Sequence, residues 1–356
     1  MNILMVTMGM GIGGAETHII ELCRALTSRG VLVSVASAGG ELVMALKESG
    51  AHHIYAPLDK KDPLSMMRSS VILSREIKRN KYDIVHAHAR IPAFICGVLQ
   101  RRLGFRFVTS AHYDFRVNGA LRKMTDWGEH TFAVSDDLRR YLLREYGTCG
   151  DNVTVTVNGI DTGHFSPSTA EDIRSSLGLR EWEKMILHVS RLEDYSSLFA
   201  EKLISAMPEI NATTAAKAVI IGGGEKLDEL KTEAERINSA LGREAVLLLG
   251  ALSDVRDYIR ACDVFASPSR AALEAMACAK PVIVGGSQGY IGIFDENAIY
   301  RAVSTNFCCR GEPLVQSDVL ARDICRLLTS DSAYLTALGE YNRRFVLENY
   351  SASRMA

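Results

Sequence analysis

The stretch TMGMGIGGAETHII, residues 7–20, follows a short apolar run, NILMVT, and carries glycines at 9, 11, 13 and 14. A glycine-rich turn between a strand and a helix exposes backbone N–H groups, and the helix start behind it favours negative charge, so the chemistry on offer is phosphate binding. The spacing divides two ways. Gly9, Gly11 and Gly14 fit G-x-G-x-x-G, the dinucleotide turn, whereas Gly13, Gly14, Ala15 and Glu16 form G-G-x-E. A dinucleotide site also needs an acid at the tip of the second strand, about 20 residues on, to hold ribose hydroxyls. That strand ends VASAGGE, with Glu41 beyond two glycines, so the dinucleotide reading loses its most discriminating element. A second helix start suited to an anion is that of AALEAMA, near Arg270.

Positioning these groups requires an alternating chain. NILMVT reads as a strand buried on both faces, the next helix carries Ile19, Leu22, Cys23 and Leu26 at helical spacing, and Gly30 stops it before VLVSVAS. The pattern repeats through HHIYAP, a helix over 64–80, DIVHAH, the helix AFICGVLQRRL, RFVTSAH, HTFAVS and a helix over 136–146. At VTVTVNGIDTGHFSP the helical period is lost, which marks a linker and bounds a first domain at 1–160. Alternation restarts in a second domain, 165–331: KMILHVSRL, a helix over 198–207, AVIIGGG, a helix over 225–241, AVLLLGAL, DVFASPS, a helix over 271–279 and KPVIVGG. Helices over 317–329 and 332–348 end the chain, and the segment 332–356 is expected to pack back on the first domain. The fold class is α/β, with two doubly wound, Rossmann-like domains.

Composition narrows the function classes. With 47% apolar and 23% charged residues the chain is an ordinary globular sequence, and 356 residues favour two domains. Residues 1–165 hold 20 Lys+Arg against 16 Asp+Glu, net +4, which leaves 21 against 26, net −5, for the remainder. The first half is the one suited to anions. Eight cysteines without a C-x-x-C pair read as reduced thiols, and no leader or membrane span is apparent, so a cytoplasmic protein is expected. The basic, apolar-interleaved stretches QRRLGFRF and RVNGALRKM suit either ordinary solvation or peripheral contact with an anionic inner membrane face. Stacking platforms with phosphate-tracking charge are not evident, which disfavours nucleic acid as a partner.

In order along the chain, GGAETHIIELCRALTSRGVLVSV, YDIVHAHARIPAFICGVL, FVTSAHYDF, AVSDDLRRYL, VNGIDTGHFSP, ILHVSRLE, VIIGGGEKLDELK, LLLGALSDVRDYIRACDVFASPSR and ALEAMACAKPVIVG resemble the GT-B glycosyltransferases of family 4. The resemblance spans nearly the whole sequence. It implies two domains facing a central cleft, a UDP- or GDP-sugar donor held mainly by the second, and a glycan, glycolipid or small-molecule acceptor held mainly by the first. It also implies transfer with retention of configuration, no cofactor and no metal; the lack of a D-x-D triplet accords with that.

Residue by residue, the resemblance implies that Arg191 lies beside the diphosphate, where a guanidinium can take two phosphate oxygens. Five positions later the family usually has lysine, and here stands Ser196. Glu274 matches the second glutamate of the paired-glutamate signature, which accepts hydrogen bonds from ribose hydroxyls. The first glutamate would fall at Ala266, within a strand, because PSR runs straight into AALEAMA. The sugar contact of that shortened loop is then expected from Arg270 or from GGSQGYIG. Ser196 itself, Ala271, Ala272 and Leu273 at the helix start, Gly222 and Gly223 after AVII, and the Gly13–Gly14 turn complete the expected donor and phosphate contacts. His112 matches a histidine near the transferred sugar, able to donate to a hydroxyl and polarise the reacting centre. His86 and His88 alternate on one strand and read as sheet-end residues. Asp114 and Glu16 are either acceptor-side carboxylates or caps. With Ser196 and the lost glutamate, a catalytically degenerate relative that binds sugar nucleotide or a partner transferase is the alternative.

Overall fold

The computed structural model describes every residue except Arg116, and every side chain except those of Ala120, Leu121, Lys123 and Glu171 as well. The chain forms two compact units: Met1–Gly159 with Ala352–Ala356, and Ile160–Ser351.

In the first unit β1 (Asn2–Val6), α1 (Gly14–Thr27), β2 (Leu32–Ser37), α2 (Val43–Glu48), β3 (His52–Tyr55), α3 (Pro63–Asn80) and β4 (Ile84–Ala87) lead the alternation. It continues with α4 (Arg90–Leu103), β5 (Arg106–Ala111), α5 (Gly119–Met124), β6 (His130–Ala133), α6 (Asp136–Tyr141) and β7 (Val153–Val155). The reason β1 is apolar throughout is visible in its packing. Leu4 and Val6 share a core with Leu73, Ile77, Ile95 and Leu99 of α3 and α4, while Ile3 and Met5 meet Ile19, Cys23 and Leu46 of α1 and α2. Covering both faces with helices is what a parallel sheet requires. The strands order β3-β2-β1-β4-β5-β6-β7, all parallel. Neighbouring crossovers therefore diverge between β1 and β4, opening a crevice at the carboxyl ends of those strands. The helix expected over 136–146 ends as α6 at Tyr141, and a π-helical turn, Leu142–Tyr146, carries the chain to Gly147.

The second unit repeats the design with α7 (Glu171–Ser176), β8 (Lys184–Val189), α8 (Leu198–Thr213), β9 (Ala216–Ile221), α9 (Leu227–Leu241), β10 (Val246–Gly250) and α10 (Arg256–Ala261). It closes with β11 (Val264–Ala266), α11 (Ser269–Ala277), β12 (Val282–Gly286), β13 (Gly289–Ile293), α12 (Ile299–Val303), α13 (Ser317–Leu328) and α14 (Ser332–Asn349). The order β10-β9-β8-β11-β12-β13 puts its switch point between β8 and β11. Phe199, Leu203, Met207, Ile220, Leu320 and Ile324 fill one core between sheet and helices. GGSQGYIG turns at Ser287–Gln288 into β13, which pairs antiparallel with β12. One expectation changes here. Helix α8 runs past Pro208 to Thr213, held by buried Ile210.

The C-terminal segment also differs from expectation. Helix α14 stays with the second unit, because Leu338 enters its core, Phe345 packs edge-on to Phe294 at 5.2 Å, and Asn342 Nδ2 donates to Lys280 O at 2.9 Å. Only residues 352–356 return. There α15 (Ala352–Met355) packs on α1, Met355 joins the α1–α2 core, and Arg29 donates to Ser353 O at 2.5 Å. No helix among the described residues is long and apolar enough to cross a membrane. Deleting residues 352–356 should therefore destabilise the first unit by roughly 1–3 kcal/mol, the scale of one lost packed apolar side chain. Amide hydrogen exchange checks this: protection should fall in α1 and α2 and stay unchanged in α8 and α13.

Candidate functional site

Each switch point gathers residues that are distant in sequence. In the second unit the segment after β8 is laced to the one after β9: Leu192 N donates to Gly223 O at 2.8 Å, and Lys226 N donates to Leu192 O at 2.9 Å. A Cβ on Gly222 would stand 1.8 Å from Ser190 O, so only glycine lets these two backbones pass. Gly223 is less confined, its hypothetical Cβ lying 3.2 Å from that of Ala251. On this fixed turn the Arg191 side chain is exposed. Ser196, which stands where a lysine is usual, closes the turn itself: its hydroxyl donates to Arg191 O at 2.9 Å, and Ser196 N donates to Glu193 O at 2.9 Å. The cation brought to this turn is instead Lys226, paired with Asp194 at 3.2 Å and Glu229 at 2.8 Å.

His188, which sequence reading passed over, ties the turn to the neighbouring strand. Its Nδ1 donates to Ala266 O at 2.7 Å, its Nε2 accepts from Ser190 Oγ at 2.7 Å, and its ring stacks on Phe199 at 4.9 Å. Val189 N donates to Ser267 Oγ at 2.8 Å, so the ends of β8 and β11 are bound together. The signal was a polar residue inside ILHVSR, an otherwise apolar strand. Burial, opposed by the Ala266 carbonyl, lowers the His188 pKa to about 4.

Helix α11 starts at the same edge. Ser269 adopts a left-handed φ of 57°, an uncommon conformation for a residue with a side chain, and its N–H donates to Phe307 O at 2.7 Å. The first-turn N–H groups of a helix have no acceptor within it, so this end is electropositive. Arg270 and Glu274 lie one turn apart, both buried, with Nε to Oε1 at 2.8 Å. The guanidinium thus balances the carboxylate, rather than standing at the helix mouth as the sequence suggested. Ala272 and Leu273 are fully buried core residues, so a ligand could meet them only through the backbone; Ala271 is partly exposed.

In the first unit Gly13 caps α1 in an extended conformation, and an added Cβ on Gly14 would meet nothing within 4 Å. The close-packed glycine is Gly40, at φ +141°, whose Cβ would fall 2.4 Å from Met10 O. Gly9 and Gly11 are not confined in that way. Beside this turn, α1 supplies His18, β4 ends in His86 and leads to His88, and β5 leads to His112. His88 Nδ1 lies 3.2 Å from His112 Nε2, His86 Nε2 bonds Ser110 Oγ at 2.8 Å, and the His18 and His112 rings meet edge-on at 4.8 Å. One nitrogen from each of His18, His88 and His112 falls within 4.8 Å of the others. Burial holds all three sheet-end imidazoles neutral: His112 is lowered to about 4, His86 to about 3, and His88 well below the ordinary imidazole value, helped by the neighbouring rings. Tyr113 and Phe115 stand exposed around Asp114, and Arg90 lies over the Phe115 ring at 4.0 Å. Of the basic stretches singled out in the sequence, Arg116 falls outside the described residues.

Residues 12–164 match the model described as Glycosyltransferase Family 4, and residues 169–345 match Glycosyl transferases group 1. The chain is a family 4 glycosyltransferase. An uncharacterized glycosyltransferase of Methanocaldococcus jannaschii is 27% identical to it over 315 residues, 79% of each chain. Among solved structures, a glycosyltransferase of Rickettsia africae superposes with TM-score 0.80 at 20% identity, covering 99% of this chain and 95% of that one. HepE of Anabaena, solved in complex with UDP-glucose, gives 0.77 at 18% identity over 99% and 96%. These likenesses establish the GT-B fold for the glycosyltransferase.

Two outcomes follow from the site. Gly222→Ala should lower the melting temperature of the glycosyltransferase by several degrees, whereas Gly14→Ala should leave it nearly unchanged; calorimetry of both variants decides. His188 binds its proton more weakly folded than unfolded, so between about pH 6.5 and 4 the unfolded chain carries more protons. Its contribution to stability is present above 6.5 and lost as pH falls toward 4, at no more than about 1.4 kcal/mol per pH unit. Denaturant midpoints measured across that window should fall, and fall less in His188→Gln once each is referred to its own value at neutral pH.

Proposed function

We propose that this glycosyltransferase moves a sugar from a nucleoside-diphosphate sugar, UDP- or GDP-linked, to a glycan or glycolipid-type acceptor, with retention of configuration and without a metal in the step. The observation that carries the donor half is the convergence of the Arg191 turn and the α11 start at the β8/β11 switch point, held by the His188–Ala266 and Val189–Ser267 hydrogen bonds. As the anomeric carbon–oxygen bond breaks, negative charge grows on the departing diphosphate. Arg191 and the first-turn N–H groups of α11, including those of Arg270, Ala271 and Ala272, meet that charge without reorganising. Glu274, held by Arg270, accepts from the ribose hydroxyls. The acceptor oxygen takes the carbon, and its proton leaves with the diphosphate.

His112 serves the sugar on the acceptor side. As a neutral imidazole at pH 7 it donates to a sugar hydroxyl without adding a charge that would oppose the growing positive charge on the ring. The Gly13–Gly14 turn at the start of α1 offers N–H groups to an anionic part of the substrate, consistent with the open space above Gly14. A cytoplasmic location with contact at the inner membrane face accords with a glycolipid-type acceptor and with the exposed Tyr113 and Phe115. The commitment of the Ser196 hydroxyl to its own turn favours a second reading, a donor-binding protein with little transfer.

Thermal protection by UDP, GDP and NADH, followed by transfer assays on a donor panel, separates these readings. A ligand at 100-fold its Kd adds about 2.7 kcal/mol. Arg191→Ala and Glu274→Gln should each weaken nucleoside-diphosphate binding tenfold or more. His112→Gln should keep that affinity and lose turnover on the order of 10²-fold. Protection by NADH alone would overturn the proposal, and nucleotide protection without transfer from any donor would favour the second reading. Glutamine at 274 keeps an oxygen to accept from Arg270 Nε but removes the charge, and since losing one partner of a buried ion pair costs roughly 3–5 kcal/mol, the melt of each variant is recorded beside its binding.

A further inference from the structure

The imidazoles of His18, His88 and His112 come from three separate elements, α1, the end of β4 and the end of β5, and meet at the β1/β4 crevice of the first unit. One ring nitrogen from each lies within 4.8 Å of the other two, and the His88–His112 pair is already at 3.2 Å. Three imidazoles around one zinc ion, each at about 2.0–2.1 Å, hold their nitrogens roughly 3.3 Å apart. One pair therefore stands at the required separation, and the His18 nitrogen, within 4.8 Å, has to come closer for all three to hold one ion.

The other nitrogen of the His88 ring is not part of this pair. His88 is 95% withdrawn from solvent by its 5% exposure, and its Nε2 has no hydrogen-bond partner among the described residues. Buried polar nitrogens are nearly always paired, and leaving one unpaired costs about 1–3 kcal/mol. A single ion can take only one nitrogen of the His88 ring, and the 3.2 Å approach to His112 makes that nitrogen Nδ1. Imidazole ligands select Zn2+, Cu2+, Ni2+ and Co2+ over Mg2+ and Ca2+, and three protein ligands leave one coordination position open.

We propose that His18, His88 and His112 form a three-imidazole site for a divalent transition-metal ion of the zinc type, and that occupancy withdraws the His112 ring from the sugar and so inhibits transfer. The binding claim stands on the cluster alone; the inhibitory consequence rests on the role given to His112 above. Occupied, the His112 lone pair faces the ion, and the ring is held toward α1 instead of toward substrate. The site is thus a brake on the reaction and takes no part in it.

Cobalt(II) chloride is the probe for binding. Titrated into the full-length protein at neutral pH, it should produce the visible absorption of low-symmetry Co2+ with one equivalent bound, and Zn2+ should abolish that band. His18→Gln should weaken cobalt binding at least tenfold while keeping a cooperative melt, and His88→Gln serves as the second variant should the first unfold. His164→Gln, an exposed histidine of the other unit, should bind like the parent protein. Absence of the band, or a band unchanged in both cluster variants, would overturn the site. In transfer assays the ratio of rates with and without zinc should fall at least fivefold in the parent and return to one in His18→Gln. Cobalt binding without zinc inhibition would overturn the coupling to His112, and the absorption titration decides the site itself even where no donor is turned over.

Discussion

A parallel sheet covered by helices on both faces leaves its backbone no contact with water except at the strand ends, and that constraint places everything else. β1 packs with Leu4 and Val6 against one helix layer and Ile3 and Met5 against the other, so no polar side chain can be carried along the strand. Chemistry is displaced to the carboxyl ends, and among those to the point where neighbouring crossovers leave for opposite faces. Both units obey this: the β1/β4 point collects the glycine turn and the histidines, the β8/β11 point collects Arg191 and the start of α11.

At each point the crevice is shaped by backbone meeting backbone. Gly222 lets the segment after β9 cross Ser190, and Gly40 lets the segment after β2 cross Met10. In neither case does the glycine need to touch a ligand. It allows a loop to be stiff, and a stiff loop can hold a charged side chain or an N–H group ready before substrate arrives, which is how an enzyme stabilises developing charge at low reorganisation cost. His188 does the same work from below, joining the Arg191 turn to β11 through Ser190 and Ala266. The ion pair of Arg270 with Glu274 extends that order into α11, where a lone buried carboxylate would be unstable.

Electrostatically the two crevices differ. The β8/β11 edge offers the first-turn N–H groups of α11 and the exposed Arg191 guanidinium, with buried Arg270 paired to Glu274. The β1/β4 edge is built from neutral imidazoles whose protons are held off by burial. Neutral rings donate or accept hydrogen bonds as the partner requires, and an imidazole lone pair also suits a transition-metal ion.

Much of this was legible in the residues. Alternating apolar runs and helical spacings determined two Rossmann-like halves, and the order of motifs such as YDIVHAHARIPAFICGVL and ALEAMACAKPVIVG determined the family, because local pattern and spacing are written directly in the chain. The missing acid after VASAGGE already weakened the dinucleotide reading. What only the tertiary structure decided depends on which distant segments touch. That α14 stays with the second unit while residues 352–356 cross back, that GGSQGYIG folds into a hairpin, that Gly40 rather than Gly9 is the confined glycine, and that His18 joins His88 and His112 are all consequences of packing between residues far apart in sequence. Spacing along the chain carries no record of those contacts, since each is set by the shape left over when the two helix layers have closed on their sheet.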